Sequence, residues 1–280
     1  MQLGNDSDRS NVEDRRGGVT GVHLGIGGML IVGVLSLVFR TNLFAVVGQG
    51  QGDQSAQPQP QQPATATEQG RERLQAESGL EKVAVGSFND VQRFWTGNLQ
   101  GWKNAKLVLF WDRTQSGCGA AGASMGPFYC PSDEKVYIDL GFYRELAQRF
   151  GAPGDFAQAY VIAHEVGHHV QDLLGLSARV TRQQEQDPSQ RNALSVSLEL
   201  QADCYAGVWG HSATQRKLLD PGDVEAGLRA AAAVGDDRLQ KMAGRKVSPE
   251  SFTHGSAEQR AQWFRRGLDS GDLQQCDTFH

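Results

Sequence analysis

The hydrophobic positions of the chain fall into three successive patterns, of which the first is an uncharged run. The run GGVTGVHLGIGGMLIVGVLSLVF lies between Arg16 and Arg40, and roughly 20 consecutive apolar residues are enough for a helix to cross a membrane. We therefore predict a single transmembrane helix over residues 19–39. A cleaved signal peptide is the alternative, but its apolar part is usually only about 7–15 residues long, and no clear cleavage motif follows the run.

The basic residues beside this run predict its orientation. Arg9, Arg15 and Arg16 precede it, and only Arg40 closely follows it. Since lysine and arginine accumulate on the cytoplasmic side of a membrane helix, residues 1–18 are predicted to be a short cytoplasmic N-terminus. The rest of the chain would then lie outside the cytoplasm, in the periplasm or the extracellular space, attached to the cell membrane by one helix.

The second pattern is a polar stretch, GQGQGDQSAQPQPQQPATATEQG at residues 48–70, with almost no apolar content. Such a composition cannot bury a hydrophobic core and is typical of a flexible tether. We predict a disordered linker over residues 40–70 and one folded domain over residues 71–280.

The third pattern, inside that domain, changes from strands to helices. The segments AKLVLFW at 105–111 and EKVYIDL at 134–140 are short and rich in β-branched and aromatic residues, which indicates strands. From Gly141 onward helices dominate, and one apolar series has the helical steps of three and four: Phe156, Ala159, Ala163, Val166, Val170 and Leu173. A few strands followed by a run of helices predict a mainly helical α+β domain with a small sheet.

Capping residues predict where the helices begin and end. Asp155 with Gln158 three residues later has the form of a capping box, and Gly175 is placed to end that helix. Cap residues followed by proline, or by glutamine at the third position, predict further helix starts: Asp187-Pro188, Asp220-Pro221 and Ser256.

Charge and cysteine content bear on partners and compartment. The net charge is −5 and no dense basic cluster is present, which excludes nucleic acid as an expected partner. The four cysteines allow three connectivities, of which we predict Cys118–Cys130, closing the loop GAAGASMGPFY, together with Cys204–Cys276. Four free thiols are the alternative. Disulfides would agree with an oxidising compartment.

The chemistry is concentrated in the segment HEVGHH. His164 and His168 are four residues apart, so their imidazoles lie on one face of a helix and can bind one metal ion. The pattern H-E-x-x-H also places Glu165 where it can act as general base for a metal-activated water. His169 is rotated about 100° from His168 and is not expected to join the site. The alternative is a chance match on a buried helix.

A catalytic zinc usually has three protein ligands and an open position for water. The segment LELQAD offers Glu199 and, one turn later, Asp203. We predict Glu199 as the third ligand and Asp203 as the acceptor for a histidine Nδ1–H, which would fix the ring orientation. The reverse assignment of these two carboxylates stays open.

Several segments together resemble one protein family. They are HEVGHH, LELQADCYAGVW, the upstream GCGAAGASMGPFYCPSDEKVYIDLGF and the downstream FTHGSAEQRAQWFRRGLDSGDLQQCDTF, and they are similar to the bacterial neutral zinc metallopeptidases of the YpfJ type. The resemblance implies a zincin-like, membrane-anchored peptidase with one zinc per chain and a site related to that of the gluzincins. It implies His164, His168 and Glu199 as zinc ligands and Glu165 as the general base. It also implies Asp203 as the residue that supports a ligand from outside the zinc coordination shell.

Two further roles are hypotheses. The oxyanion formed during peptide hydrolysis needs a hydrogen-bond donor, and His254 and Tyr205 are the candidates. The segment KVYIDL could be an edge strand to which an extended peptide or protein substrate adds. For His254 a surface or packing role is the alternative, and Tyr205 could belong to the core.

Three classes of function remain open. The first is a zinc-dependent peptidase. The second is a zinc-binding amide hydrolase that does not act on proteins, for example one acting on the cell wall. The third is a latent or partner-binding scaffold, but such a protein would be expected to lack Glu165 or a ligand, and none is missing. The sequence therefore favours an intact enzyme and leaves the oligomeric state unknown.

Overall fold

A four-stranded sheet forms one side of the structure. The computed structural model describes residues 1–2, 7–16 and 68–279, with side chains from residue 77 onward in the last range. The strands, in their order across the sheet, are β1 (Val12–Asp14), β2 (Lys106–Phe110), β6 (Lys135–Asp139) and β5 (Phe128–Cys130). The first three are parallel, and β5 is antiparallel to β6. The predicted strands are therefore confirmed as β2 and β6.

The connection between β2 and β6 contains more structure than the sequence indicated. Arg113–Ser116 (β3) and Gly119–Gly122 (β4) form an antiparallel pair, and β5 follows. Strands β3 and β4 are short and polar or glycine-rich, and β5 has only three residues, so none of them is long enough or apolar enough to give the pattern of β2. Because β5 occupies the edge, the prediction that KVYIDL is an edge strand is wrong. That segment is β6, which has a partner strand on both sides.

Eight α-helices lie within the described residues. They are α1 (Glu68–Asn98), α2 (Leu140–Gln148), α3 (Asp155–Leu173), α4 (Leu176–Gln186), α5 (Arg191–Gln215), α6 (Asp223–Ala233), α7 (Asp236–Met242) and α8 (Ala257–Ser270). Helix α1 was not predicted, and its first residues were assigned to the linker. Since the helix begins at Glu68, the linker prediction over residues 40–70 extends too far.

The predicted capping signals have mixed outcomes. At α8 the capping box is present, with the Ser256 hydroxyl accepting from the Gln259 backbone N–H. Asp187 caps a short 3₁₀ turn that leads directly into α5. At α3 the N-cap is Gly154 and makes no side-chain bond, so Asp155 is the first helical residue rather than the cap. Helix α3 does end before Gly175, which has a positive φ.

The hydrophobic core joins the sheet to the helices. Leu107 and Ile138 of the sheet, Phe88 of α1, and Phe156 of α3 all belong to one buried cluster. The ring of Phe156 also stacks on Trp209 of α5, with 5.8 Å between ring centroids. Burial of large aromatic side chains is a major source of stability, and here it fixes α3 and α5, the two helices with the metal-ligand candidates.

Glycines allow α5 and α8 to cross in backbone contact. A Cβ on Gly267 would lie 2.0 Å from the Cys204 carbonyl oxygen, and a Cβ on Gly207 would lie 2.1 Å from the Phe264 carbonyl oxygen. Neither position can hold a larger residue without separating the helices. The crossing is secured by Cys204–Cys276, and Cys118–Cys130 joins the β4 region to β5. Both predicted disulfides are confirmed.

The N-terminal segment packs on the folded domain, which corrects its predicted role. Strand β1 pairs with β2 from Val12↔Leu107 onward. Arg9 and Arg16 both form ion pairs with Glu81 of α1. Two of the arginines that were interpreted as a signal of membrane orientation are therefore bound to a carboxylate of the domain. Residues 7–16 are part of the domain, rather than a separate cytoplasmic segment on the other side of a membrane.

The prediction of a membrane anchor is not supported. No helix within residues 1–2, 7–16 and 68–279 is long and apolar enough to cross a membrane. The predicted span over residues 19–39 lies outside the described residues. The fold class is corrected to a mainly helical α+β structure with a small sheet, and the predicted single-pass membrane localisation is withdrawn.

Candidate metal centre

Helices α3 and α5 carry the candidate ligands and lie in close contact. A Cβ on Gly167, between the two histidines of α3, would lie 3.1 Å from both Cα and the carbonyl oxygen of Ala202 on α5. His164 and His168 share one face of α3, as their spacing predicted, and Glu199 and Asp203 share one face of α5. The close packing of these helices brings the two faces together.

The three predicted ligands converge on a common point. The Nε2 atoms of His164 and His168 are 3.2 Å apart. Glu199 places one carboxylate oxygen 3.2 Å from His164 Nε2 and the other 3.5 Å from His168 Nε2. Zinc bonds of about 2.0–2.1 Å at tetrahedral angles separate neighbouring ligand atoms by about 3.3–3.4 Å. The three residues therefore have the spacing that one zinc ion requires, and they form the one such cluster among the described residues.

Hydrogen bonds at Nδ1 determine which nitrogen of each ring faces the site. His164 Nδ1 lies 2.9 Å from Asp203 Oδ1, and His168 Nδ1 lies 2.9 Å from Gln171 Oε1. Both partners are acceptors, so both Nδ1 atoms carry the proton. The two Nε2 atoms and the Glu199 carboxylate then face one another, and positive charge between them, on a metal ion or on a protonated His164, stabilises this arrangement. This finding supports Asp203 as the hydrogen-bond acceptor that orients His164, and Glu199 as the candidate ligand.

The pKa shifts also show that the site favours positive charge. Burial opposes charge on His164, but the adjacent Asp203 carboxylate outweighs it and raises the pKa of His164 to about 10. Burial likewise opposes ionisation of Glu199, yet the neighbouring histidines hold the pKa of Glu199 well below its usual range. A carboxylate that stays ionised in a partly buried position is suited to bind a metal cation.

Arg260 is the main residue of the site that sequence reasoning missed. Its guanidinium donates to both oxygens of Asp203, at 2.8 and 3.0 Å, and lies 3.7 Å from Glu199 Oε2. The Tyr160 hydroxyl donates to the same Asp203 carboxylate. A signal was present in the sequence: Arg260 lies four residues before Phe264 and eight before Leu268, on the buried face of α8. An arginine on an apolar stripe indicates a buried acidic partner.

Glu165 is the predicted general base. It follows the candidate ligand His164 directly and is buried, at 7% exposure. Burial raises the pKa of Glu165 above the ordinary carboxyl value, and a base with a raised pKa accepts a proton more readily near neutral pH. His169 points away from the site, with Nε2 2.7 Å from the Lys103 carbonyl and Nδ1 2.9 Å from the Tyr129 hydroxyl, as its rotation on the helix predicted.

The two candidate oxyanion donors have different positions. His254 lies in the loop before α8, half exposed, with Nδ1 3.2 Å from Asp236 Oδ1. Burial lowers its pKa, but Asp236 and the charge of Glu199 outweigh this effect, so the pKa of His254 is raised. Tyr205 is instead buried against Trp95, with 5.7 Å between ring centroids. It belongs to the core, so the prediction of Tyr205 as an oxyanion donor is wrong.

The fold and this cluster define a mainly helical α+β protein with a candidate His-His-Glu metal centre. The chain belongs to the family described as "Putative neutral zinc metallopeptidase", which matches residues 1–279. The family name implies zinc and supports a hydrolase at that general level. The match includes the N-terminal segment that packs on the domain.

Two relatives illustrate the similarity. The uncharacterised protein YpfJ of Escherichia coli K12 is 46% identical over 278 residues, covering 97% of this chain and 96% of that protein. The uncharacterised protein Rv2575 of Mycobacterium tuberculosis H37Rv is 40% identical over 228 residues, covering 78% of this chain and 76% of that protein. No solved structure matches the chain significantly.

Proposed function

We propose that the protein is a zinc-dependent peptidase in which His164, His168 and Glu199 hold one zinc ion. The observation that carries the proposal is the convergence of both Nε2 atoms and the Glu199 carboxylate at 3.2–3.5 Å. Glu165 is buried and interacts electrostatically with both histidines. Metal ligands alone would suit a structural site, but a fourth protein ligand is usual there. Three ligands with an adjacent carboxylate favour catalysis.

Glu165 is proposed to move the proton during hydrolysis. Zinc, when bound, supplies a Lewis acid and lowers the pKa of a coordinated water towards about 7. Glu165 takes the proton from the attacking water and returns it to the leaving amine. Its burial keeps bulk water from competing for that proton and raises its pKa towards the working range.

His254 is proposed to stabilise the oxyanion of the transition state, with Asp236 as the residue that orients it. Asp236 Oδ1 contacts His254 Nδ1, and its Oδ2 accepts from the backbone N–H groups of Thr253, His254 and Gly255. A Cβ added at Gly255 would lie 3.2 Å from the side chain of Leu200 and 3.3 Å from that of Val196, and these two residues flank Glu199 on α5. The loop with His254 is therefore held beside the ligand helix.

The substrate class is proposed to be peptides or proteins bound in an extended conformation. Strand β5 takes the place of the earlier candidate β6, because within the described residues β5 pairs on one side only. Tyr129 of β5 contacts His169 and Asp172 of α3, so this edge lies beside the helix with the metal ligands. A peptide added to β5 would run alongside α3.

The test compares peptide cleavage by the wild-type chain and by Glu165→Gln, both loaded with zinc. Glu165→Gln should bind zinc normally and lose at least about 100-fold in kcat, the usual scale of a general base. Glu185→Gln, at an exposed position on α4, is the matched control and should retain activity. A zinc-loaded wild type that cleaves no peptide in a diverse library would contradict the peptidase proposal, and would favour a different amide hydrolase or a partner-binding role.

A further inference from the structure

We infer that Gln171 and Gln201 are positioning residues that fix the metal-facing nitrogen of His168, and that the Cys204–Cys276 disulfide holds the far end of their hydrogen-bond chain. The inference rests on the proposed metal centre and concerns how one ligand is oriented. Gln171 is 0% exposed and Gln201 is 5% exposed, so solvent does not replace their hydrogen bonds.

The direction of this chain is determined by a backbone carbonyl. The Cys276 carbonyl can only accept, so the nitrogen of the Gln201 amide must face it, at 3.0 Å. The Gln201 oxygen then faces Gln171 and accepts from its Nε2 at 3.1 Å. The second proton of that nitrogen goes to the Leu198 carbonyl at 2.7 Å.

The orientation of Gln171 in turn decides the tautomer of His168. With its nitrogen committed to two acceptors, Gln171 presents Oε1 to His168 Nδ1 at 2.9 Å. Nδ1 must therefore carry the proton, and Nε2 keeps the lone pair that a metal ion requires. Turning either amide around would place two acceptors or two donors in contact in a buried position.

The disulfide fixes the acceptor at the end of the chain. Cys204 is on α5, three residues after Gln201, and Cys276 ends the 3₁₀ turn Leu273–Cys276. The bond holds the Cys276 carbonyl against the same helix that carries Gln201. His168 is therefore oriented through the C-terminal turn, whereas His164 is oriented through Asp203 and Arg260. The two histidine ligands have separate supports.

The test measures zinc affinity of the full chain by competition with a chelator. Gln171→Leu removes the acceptor for His168 and should weaken zinc binding about 10–100-fold, the usual effect of losing such a partner. Gln201→Leu should weaken binding in the same direction by a smaller factor. Gln92→Leu is the matched control, because Gln92 is also a buried amide but bonds to the Ala105 backbone; it should lower stability and leave zinc affinity unchanged.

The disulfide has its own comparison. The double substitution of Cys204 and Cys276 by alanine should weaken zinc binding. The same change at Cys118 and Cys130 removes a disulfide that is not connected to this series of hydrogen bonds, and should leave zinc binding unchanged. Nitrogen NMR of the zinc-free protein should show the His168 proton on Nδ1 in the wild type and a mixture of tautomers in Gln171→Leu.

These results separate the inference from the proposed function. Zinc affinity that is equal in the wild type and Gln171→Leu, or a His168 proton on Nε2 in the wild type, would overturn the inference even if peptides are cleaved. A wild type that binds zinc tightly and is weakened by Gln171→Leu, but cleaves no peptide, would overturn the proposed function and leave the inference standing. A wild type without zinc affinity would overturn both.

Discussion

Gly167 of α3 lies directly against Ala202 of α5, so that a Cβ on residue 167 would be 3.1 Å from the Ala202 Cα atom. Gly167 immediately precedes the candidate ligand His168, and Ala202 immediately precedes Asp203. The contact therefore sets the distance between the two helices that carry the candidate metal centre. Glycine inside a helix costs about 1 kcal/mol of stability relative to alanine. The close approach of Ala202 explains why position 167 is nevertheless a glycine.

Gly167→Ala should weaken zinc binding more than it weakens the fold. The added methyl group gains helix propensity, up to about 1 kcal/mol, but α3 and α5 must separate by a few tenths of an ångström. That shift moves both histidines relative to Glu199. Zinc titration and thermal unfolding of the zinc-free protein measure the two effects separately.

Gly79→Ala is the control for helix propensity alone. Gly79 lies inside α1, and a Cβ there meets nothing within 4 Å. It should raise the free energy of unfolding by up to about 1 kcal/mol without changing zinc affinity. Equal zinc affinities for Gly167→Ala and the wild type would show that the helix separation does not limit metal binding.

Arg260→Met should destabilise the zinc-free protein by about 3–5 kcal/mol, the usual cost of leaving one partner of a buried ion pair uncompensated. Asp203 is fully buried and Arg260 is 3% exposed, so solvent cannot replace the lost charge. Arg265→Met, at an exposed position on the same helix, should change stability by no more than about 0.5 kcal/mol. Urea unfolding of both variants measures the difference, and equal stabilities would contradict the role assigned to Arg260.

His254→Ala should lower kcat for peptide cleavage by about 10²–10³, the usual effect of removing an oxyanion donor, while zinc content stays at the wild-type level. Asp236→Asn should lower kcat less, since the histidine remains but is held less firmly. His211→Ala is the control, because His211 lies about 18 Å along α5 from Glu199 at 1.5 Å per residue. A His254→Ala enzyme with wild-type kcat would assign His254 to a packing role.

The docking of the N-terminal segment should weaken in acid. Arg16 bonds to Asp14 and holds the pKa of Asp14 at about 2, below its ordinary value of 3.8. A depressed pKa contributes stability above the ordinary value, and this contribution is lost as the pH falls from about 4 to about 2. Asp14→Asn should lack this dependence.

Hydrogen exchange of the Arg15 backbone N–H, which donates to the Leu109 carbonyl at 2.8 Å, measures the docking. In the zinc-free protein, Asp14→Asn should exchange faster than the wild type at pH 7, and after correction for intrinsic rates the difference should shrink to about twofold near pH 2, where half of the Asp14 carboxyl is protonated. A difference as large at pH 2 as at pH 7 would exclude Asp14 as its cause.

The cluster of candidate metal ligands was largely predictable because its geometry is local. A spacing of four residues places His164 beside His168 and Glu199 beside Asp203 on any helix. The same rule argues against Tyr205: two residues from Asp203 is a rotation of about 200°, which directs it to the opposite side of α5. That error could have been avoided from the sequence.

Other parts of the structure depend on contacts between distant segments, which the sequence does not reveal. Strand β1 has three residues and forms by pairing with β2 from Val12↔Leu107 onward. From the sequence alone, Arg9 and Arg16 beside it have the pattern of a membrane-orientation signal, and only the structure shows that both pair with Glu81. Helical spacing places Arg260 on the buried face of α8, but its partner Asp203 is decided by the glycines that let α5 and α8 cross. The pairing of distant elements, rather than any local pattern, decides these features.

The most direct test of the metal centre is calorimetric titration of zinc into the metal-free chain. We expect one zinc per chain for the wild type, and strongly weakened binding for His164→Ala, His168→Ala and Glu199→Ala, while Glu185→Ala on α4 binds as the wild type does. No zinc binding by the wild type, or undiminished binding by the three ligand variants, would contradict the assignment of this site.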